Sequence, residues 1–132
     1  MTDPLPQISA QSSGPDHNIR AEAVWIGPDL LIYIWGGEAP HIGAVAMAQP
    51  RPSLADPAKT SATASVFAYV GHKEDDLAKW AAEKISAALG AKVVVTAGIH
   101  WDDLDQAGIK SVLANSEQLV RVLIDRLKAL GD

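Results

Sequence analysis

The sequence predicts an α+β domain: a largely antiparallel sheet of five to six strands with about three helices, in the order ββββαβαα. Three observations carry that expectation. The first half of the chain alternates apolar and polar residues with period two. The second half carries apolar residues at helical spacing, and the two patterns occupy separate runs rather than interleaving along the chain.

Residues 1–17 hold Pro4, Pro6, Gly14 and Pro15 and read as a flexible tail, leaving 18–132 as a single domain. From Asn18 to Ile26, Ile19, Ala21, Ala23 and Trp25 fall on one face with Arg20 and Glu22 on the other, which suits a half-exposed strand. Gly27-Pro28-Asp29 is a turn, and the apolar run Leu30–Trp35 completes a hairpin until Gly36-Gly37 breaks it. His41–Gln49 is expected as a third strand. Its small residues Ala44, Ala46 and Ala48 suit close packing against a helix or against a second subunit, and so a homodimer. Pro50, Pro52 and Pro57 make 50–59 a loop, after which Thr60–Val70 resumes a strand.

Glu74, Asp75 and Asp76 then open a helix, where the macrodipole favours acids; Leu77, Ala81, Ile85, Ala88 and Leu89 form its stripe and Gly90 its stop. Lys92–Ala97 is short, β-branched and apolar, hence a buried strand. Asp103 with Gln106, and Asn115 with Gln118, have capping-box spacing and predict helices near 104–114 and 116–130.

Composition narrows the function. The chain has 132 residues, 48% hydrophobic and 20% charged, which is a globular balance. A net charge of −5 argues against binding duplex nucleic acid, which needs a basic face. No cysteine is present, so disulfides, thiolate nucleophiles and cysteine-ligated metals are excluded. There is no apolar run of membrane-spanning length and no signal-peptide pattern, so a cytoplasmic protein is expected.

Three short motifs carry the chemistry: Pro40-His41-Ile42-Gly43, Gly71-His72-Lys73 and Gly98-Ile99-His100-Trp101-Asp102-Asp103. Each places a histidine, a proton carrier and metal ligand near neutral pH, beside a glycine that admits close approach. Gly71-His72-Lys73 stands before a helix, where unpaired N–H groups and a lysine suit a phosphate or carboxylate; the bland alternative is a plain helix start. Asp102 can orient the His100 imidazole and Trp101 can stack on a planar ring, or one of the aspartates simply caps the next helix. His41, His72 and His100 together can hold a divalent metal, or each can be a hydrogen-bonded structural residue. Gly36-Gly37 lacks the full dinucleotide fingerprint, and no Walker sequence or Gly-x-Ser-x-Gly elbow is present.

In order and spacing, Gly36 to Ala44, Gly71 to Ala78 and Ala97 to Asp102 resemble the small family of LpdD-like prenylated-flavin chaperones. The likeness covers roughly residues 20 to 130. It implies a fold like that of the proteasome assembly chaperones, often dimeric. It also implies a protein that binds, delivers or helps mature prenylated FMN (or FMN) for a UbiD-type decarboxylase, the cofactor being made by a UbiX-type prenyltransferase. On the resemblance, His41, Gly43, His72, Lys73, His100 and Asp102 fall on motif positions, and Trp101 joins them as a candidate ring partner. A non-enzymatic carrier is the expectation. A metal-dependent enzyme or maturase using the histidines, and a protein-assembly module with no small-molecule ligand, stand as alternatives.

Overall fold

In a computed structural model of the chain, residues 4–69 and 74–131 are described. Eight elements follow in order: β1 (Gln7–Gln11), β2 (Ile19–Ile26), β3 (Asp29–Gly37), β4 (Ala44–Pro52), β5 (Thr60–Ala68), α1 (Asp75–Leu89), β6 (Val93–His100) and α2 (Gln106–Gly131). The strands form one sheet in the order β1-β2-β3-β6-β4-β5. All neighbours are antiparallel except β3 and β6, which run parallel, so the sheet is mixed rather than antiparallel throughout.

The period-two patterns resolve into one buried and one open face. Ile19, Ala21 and Ala23 of β2, Leu30, Ile32 and Ile34 of β3, Ala44, Ala46 and Ala48 of β4, and Val93, Val95 and Ala97 of β6 are buried. Both helices cover that face, α1 across β4, β5 and β6, and α2 across β1 and β2. The small alanines of β4 therefore receive a helix. Of the two packings expected for them, a helix or a second subunit, the structure shows the helix: α1 fills their side, and Val45 and Met47 point the other way.

Three further expectations change. Gln7–Gln11, read from the sequence as part of a flexible tail over residues 1–17, is the edge strand β1, paired with β2 from Gln7↔Val24 to Gln11↔Arg20. The β4 strand starts later and runs further than expected, through Pro50 and Pro52. The β4–β6 ladder ends at Ala48↔Val93, so on that side neither proline faces a partner needing an N–H. The two expected terminal helices are one helix of 26 residues. Asn115 does not cap a new helix, because its Nδ2 donates to the carbonyls of Asp16 (2.7 Å) and His17 (2.8 Å) instead. The actual cap of α2 is Asp105, whose Oδ1 accepts the Gly108 N–H at 2.8 Å.

The helix α1 begins with Asp75 and Asp76 in its first turn and stops at Gly90, in the left-handed conformation with φ 63, as its sequence suggests. It joins β5 to β6, which run in the same direction with β4 between them. The C-terminal ends of β3, β5 and β6 therefore lie along one edge of the sheet. The starts of α1 and α2 and the β3–β4 connection gather at that edge, where open sheets commonly hold ligands.

Candidate functional site

The connection 38–43 crosses from β3 to β4 over the end of β6, and its path depends on glycine at two places. A Cβ on Gly98 would lie 1.5 Å from the His41 carbonyl oxygen, so only glycine lets the backbones pass. A Cβ on Gly43 would lie 2.4 Å from Glu74 Oε2, so Gly43 leaves the space that the carboxylate occupies. Two backbone bonds fix the crossing: Gly43 N–H to Ala97 O, and Tyr69 N–H to Gly43 O, each 2.9 Å.

Glu74 is the residue on which this edge converges. Its Oε1 lies 2.8 Å from His41 Nε2 and accepts the Ile99 N–H at 3.3 Å. The other imidazole nitrogen of His41, Nδ1, is 2.9 Å from the Ala39 carbonyl and donates to it. With Nδ1 fixed as the donor to Ala39, Nε2 is the ring atom left to face the Glu74 carboxylate. The pair is mostly buried, with side-chain exposures of 24% and 13%.

Beside this pair opens a cavity of about 880 Å³. Its polar edge is formed by His41, Glu74, Asp76 and His100, and its apolar wall includes Leu77, Ile99, Leu104, Ile109, Val112 and Leu113. The wall comes largely from the first turns of α2. There the stripe that buries Leu119, Leu123 and Leu127 continues past the core and faces open space, leaving Ile109 and Leu113 exposed.

His41 and His100, expected to converge, do line one cavity. Gly43 stands behind Glu74 rather than in the cavity wall. Asp102 lies outside the lining and binds His100, its Oδ1 2.8 Å from His100 Nε2. That imidazole, by its hydrogen bond and its nearness, holds the Asp102 carboxyl below its ordinary range. Trp101 turns away from the cavity and meets the His17 ring edge-on, centroids 5.1 Å apart. His72 and Lys73 lie outside the described residues, as does Gly71. Among the described residues no group of three His, Asp or Glu side chains is placed to hold a metal ion. No described helix is long and apolar enough to cross a membrane.

Sequence reasoning missed Glu74 as a site residue, because an acid opening a helix is already explained by the dipole. It also missed the wall. The spacing of Ile109, Val112, Leu113 and Ser116, continuous with the core stripe, was the available signal.

Comparison with known proteins agrees with this architecture. A family model described as the prenylated flavin chaperone LpdD-like domain matches residues 13–128. Protein LpdD of Lactiplantibacillus plantarum is 31% identical over 104 residues, covering 79% of this chain and 73% of that protein. The fold is similar to a chain in the crystal structure of a chaperone complex for yeast 20S proteasome assembly. The TM-score is 0.55 and the identity 16%, over 95% of this chain and 96% of that one.

Proposed function

The chain belongs to the prenylated flavin chaperone LpdD-like family, and from that premise we propose that it binds prenylated FMN in the cavity at the sheet edge and delivers it to a UbiD-type decarboxylase. The observation that carries this reading is the cavity itself: an apolar wall facing a histidine–carboxylate pair, about 880 Å³ in volume. That size lies within the range of about 300–1,000 Å³ typical of small-molecule sites.

The residues present fit such a group. Leu104, Ile109, Val112 and Leu113 offer apolar surface to a ring bearing a hydrocarbon adduct, and His41, Glu74 and His100 offer donors and acceptors to its polar edge. When bound, the flavin supplies redox-active ring chemistry. The chain's own part is to hold the ring, exclude water from its apolar side and present the polar pair His41 Nε2 and Glu74 Oε1 to its polar edge. Carrying a cofactor requires no nucleophile, and the chain has no cysteine. Gly71-His72-Lys73, directly before α1, is the proposed phosphate contact. The proposed source of the cofactor is a UbiX-type prenyltransferase, in a cytoplasmic setting. The protein is proposed to act as a homodimer through the open face of the sheet.

Co-expression with a flavin prenyltransferase tests the reading. The purified protein is expected to carry a flavin absorbance that is lost on substituting the cavity wall. A colourless protein that also fails to retain added cofactor would sink it.

A further inference from the structure

The helix α2 divides at Asn115. Beyond it, Leu119, Val120, Leu123 and Leu127 are buried in the core. Ahead of it, Ile109 is 48% and Leu113 59% exposed, and the apolar stripe looks onto the cavity. The core thus anchors the second part of the helix but not its first turns, and turns with few buried contacts open at low cost.

What meets the helix at the division is the segment 12–18, from the other end of the chain. It is knotted around Asn18: Ser12 Oγ donates to Asn18 Oδ1 (2.8 Å), Gly14 N–H donates to the same oxygen (2.8 Å), and Asn18 Nδ2 donates to Gly14 O (2.7 Å). This knot is tied to α2 in register. Asn115 Nδ2 donates to the carbonyls of Asp16 and His17, at 2.7 and 2.8 Å. Gln118 Oε1 accepts the Ser13 N–H at 2.8 Å, and Gln118 Nε2 donates to Ser13 Oγ at 3.0 Å.

His17 extends the contact toward the start of the helix. Its backbone is held at φ 58, an uncommon conformation for a residue other than glycine. Its ring lies edge-on to Trp101, next to His100, and close over Gly108 in the first turn of α2. The ring's Nδ1 is buried with no hydrogen-bond partner among the described residues, so packing and not hydrogen bonding through that atom places it. None of residues 12–18, nor Asn115, lines the cavity.

We propose that the segment Ser12–Asn18 is a clamp that sets the first turns of α2 against the cavity, making Asn115 and His17 positioning residues for a ligand that neither touches. The proposal rests on the reading of the cavity as the flavin site. The mechanism is a coupling. Holding the helix start fixes the wall formed by Ile109, Val112 and Leu113, and a ligand seated on that wall in turn holds the clamp closed. Linkage requires the effect to run both ways.

The test measures FMN affinity by fluorescence quenching and amide hydrogen exchange, in the wild type, Asn115→Ala and His17→Gly. The glycine variant removes the ring while accepting the positive φ without strain. Both variants are expected to bind FMN about ten-fold or more weakly, with faster exchange over residues 109–113 and unchanged exchange in β3. In the wild type, FMN is expected to slow exchange at Ser13, Gly14 and Ile19, which a purely structural clamp would not do. Affinities within two-fold of wild type in both variants, with unchanged exchange over 109–113, would overturn the proposal. If Asn115→Ala does not fold, His17→Gly and Gln118→Ala carry the same comparison. A wild type that binds no FMN defeats the flavin reading, and exchange over 109–113 in the variants then decides the clamp alone.

Discussion

His41 Nε2 and Glu74 Oε1 lie 2.8 Å apart, joining the β3–β4 connection to the start of α1. The same carboxylate oxygen accepts the N–H of Ile99 at the end of β6, so three separate segments of the chain meet at one side chain. The junction places a titratable pair at the cavity and also fixes the cavity's edge. A substitution at Glu74 therefore acts on shape and chemistry together.

That dual role can be separated. Glu74→Ala removes the acceptor from a partly buried imidazole and a backbone N–H, which typically costs about 1–3 kcal/mol. Glu74→Gln keeps an amide oxygen for Ile99 and is expected to lose less stability than the alanine variant while still removing the carboxylate from the His41 contact. Urea denaturation should rank the three proteins wild type, glutamine, alanine. Equal losses in both variants would refute the division.

The two crossing glycines differ in what obstructs them. At Gly98 the obstacle is the His41 carbonyl, which is backbone; at Gly43 it is the Glu74 carboxylate, the end of a side chain. A side chain can rotate, whereas moving backbone would break the pairing of Gly43 with Ala97. Gly43→Ala is expected to cost about 1–3 kcal/mol and Gly98→Ala more, as overpacking does where nothing can yield. Thermal melts of the two variants check the order.

These glycines also mark how far the sequence is legible. Alternation assigned Ile19, Ala21 and Ala23 to one face, and the structure buries all three. It did not find β1, whose short QISAQ pattern gains strand character only by pairing with β2. Asn115 carried a helix-start signal, yet its amide serves a loop from the far end of the chain, which local spacing does not reveal. The meeting of His41 and His100 depends on β6 entering between β3 and β4, a non-local pairing that no local pattern encodes.

The His100–Asp102 contact predicts a pH effect with a definite sign. The folded-state carboxyl of Asp102 is held below the ordinary carboxylate range, chiefly by the hydrogen bond from His100. A depressed acid contributes stability that is present above the unfolded pKa and lost as pH falls through the lower folded value. Both side chains are well exposed, so the effect on global stability should be slight. NMR titration of the Asp102 carboxyl should give a midpoint that rises in His100→Ala. An unmoved midpoint would show that the imidazole is not its cause.

Leu113 offers a test of the cavity that leaves the fold alone. At 59% exposed it contributes little to the core, so Leu113→Asp should change stability by no more than about 0.5 kcal/mol. The same change puts a charge on the apolar wall of the cavity and is expected to abolish flavin retention after co-expression. Flavin retained at wild-type stoichiometry would place the ligand elsewhere.

The open face of the sheet bears on assembly. Tyr33, Met47 and Phe67 are 43%, 63% and 68% exposed there, and Tyr33 stacks on Trp35 with centroids 5.7 Å apart. On β3, β6 and β4 the middle of this face presents Leu31, Tyr33 and Trp35, then Val94 and Thr96, then Val45 and Met47, with Asp29 and Arg51 at its margin. A monomer rarely leaves so continuous an apolar patch in water. An apolar centre of this kind can meet its own copy across a two-fold axis, with the charges of Arg20, Glu22, Asp29 and Arg51 left toward the margin of the face. The wild type is therefore expected to sediment as a dimer at micromolar concentration, and Met47→Asp or Phe67→Asp as a monomer with its melting temperature nearly retained. The alanines of β4 give the control: Ala46 is fully buried under α1, so Ala46→Asp should unfold the protein rather than dissociate it. A wild type that sediments as a monomer removes the dimer, and a dimer that survives both aspartate variants moves it to another face.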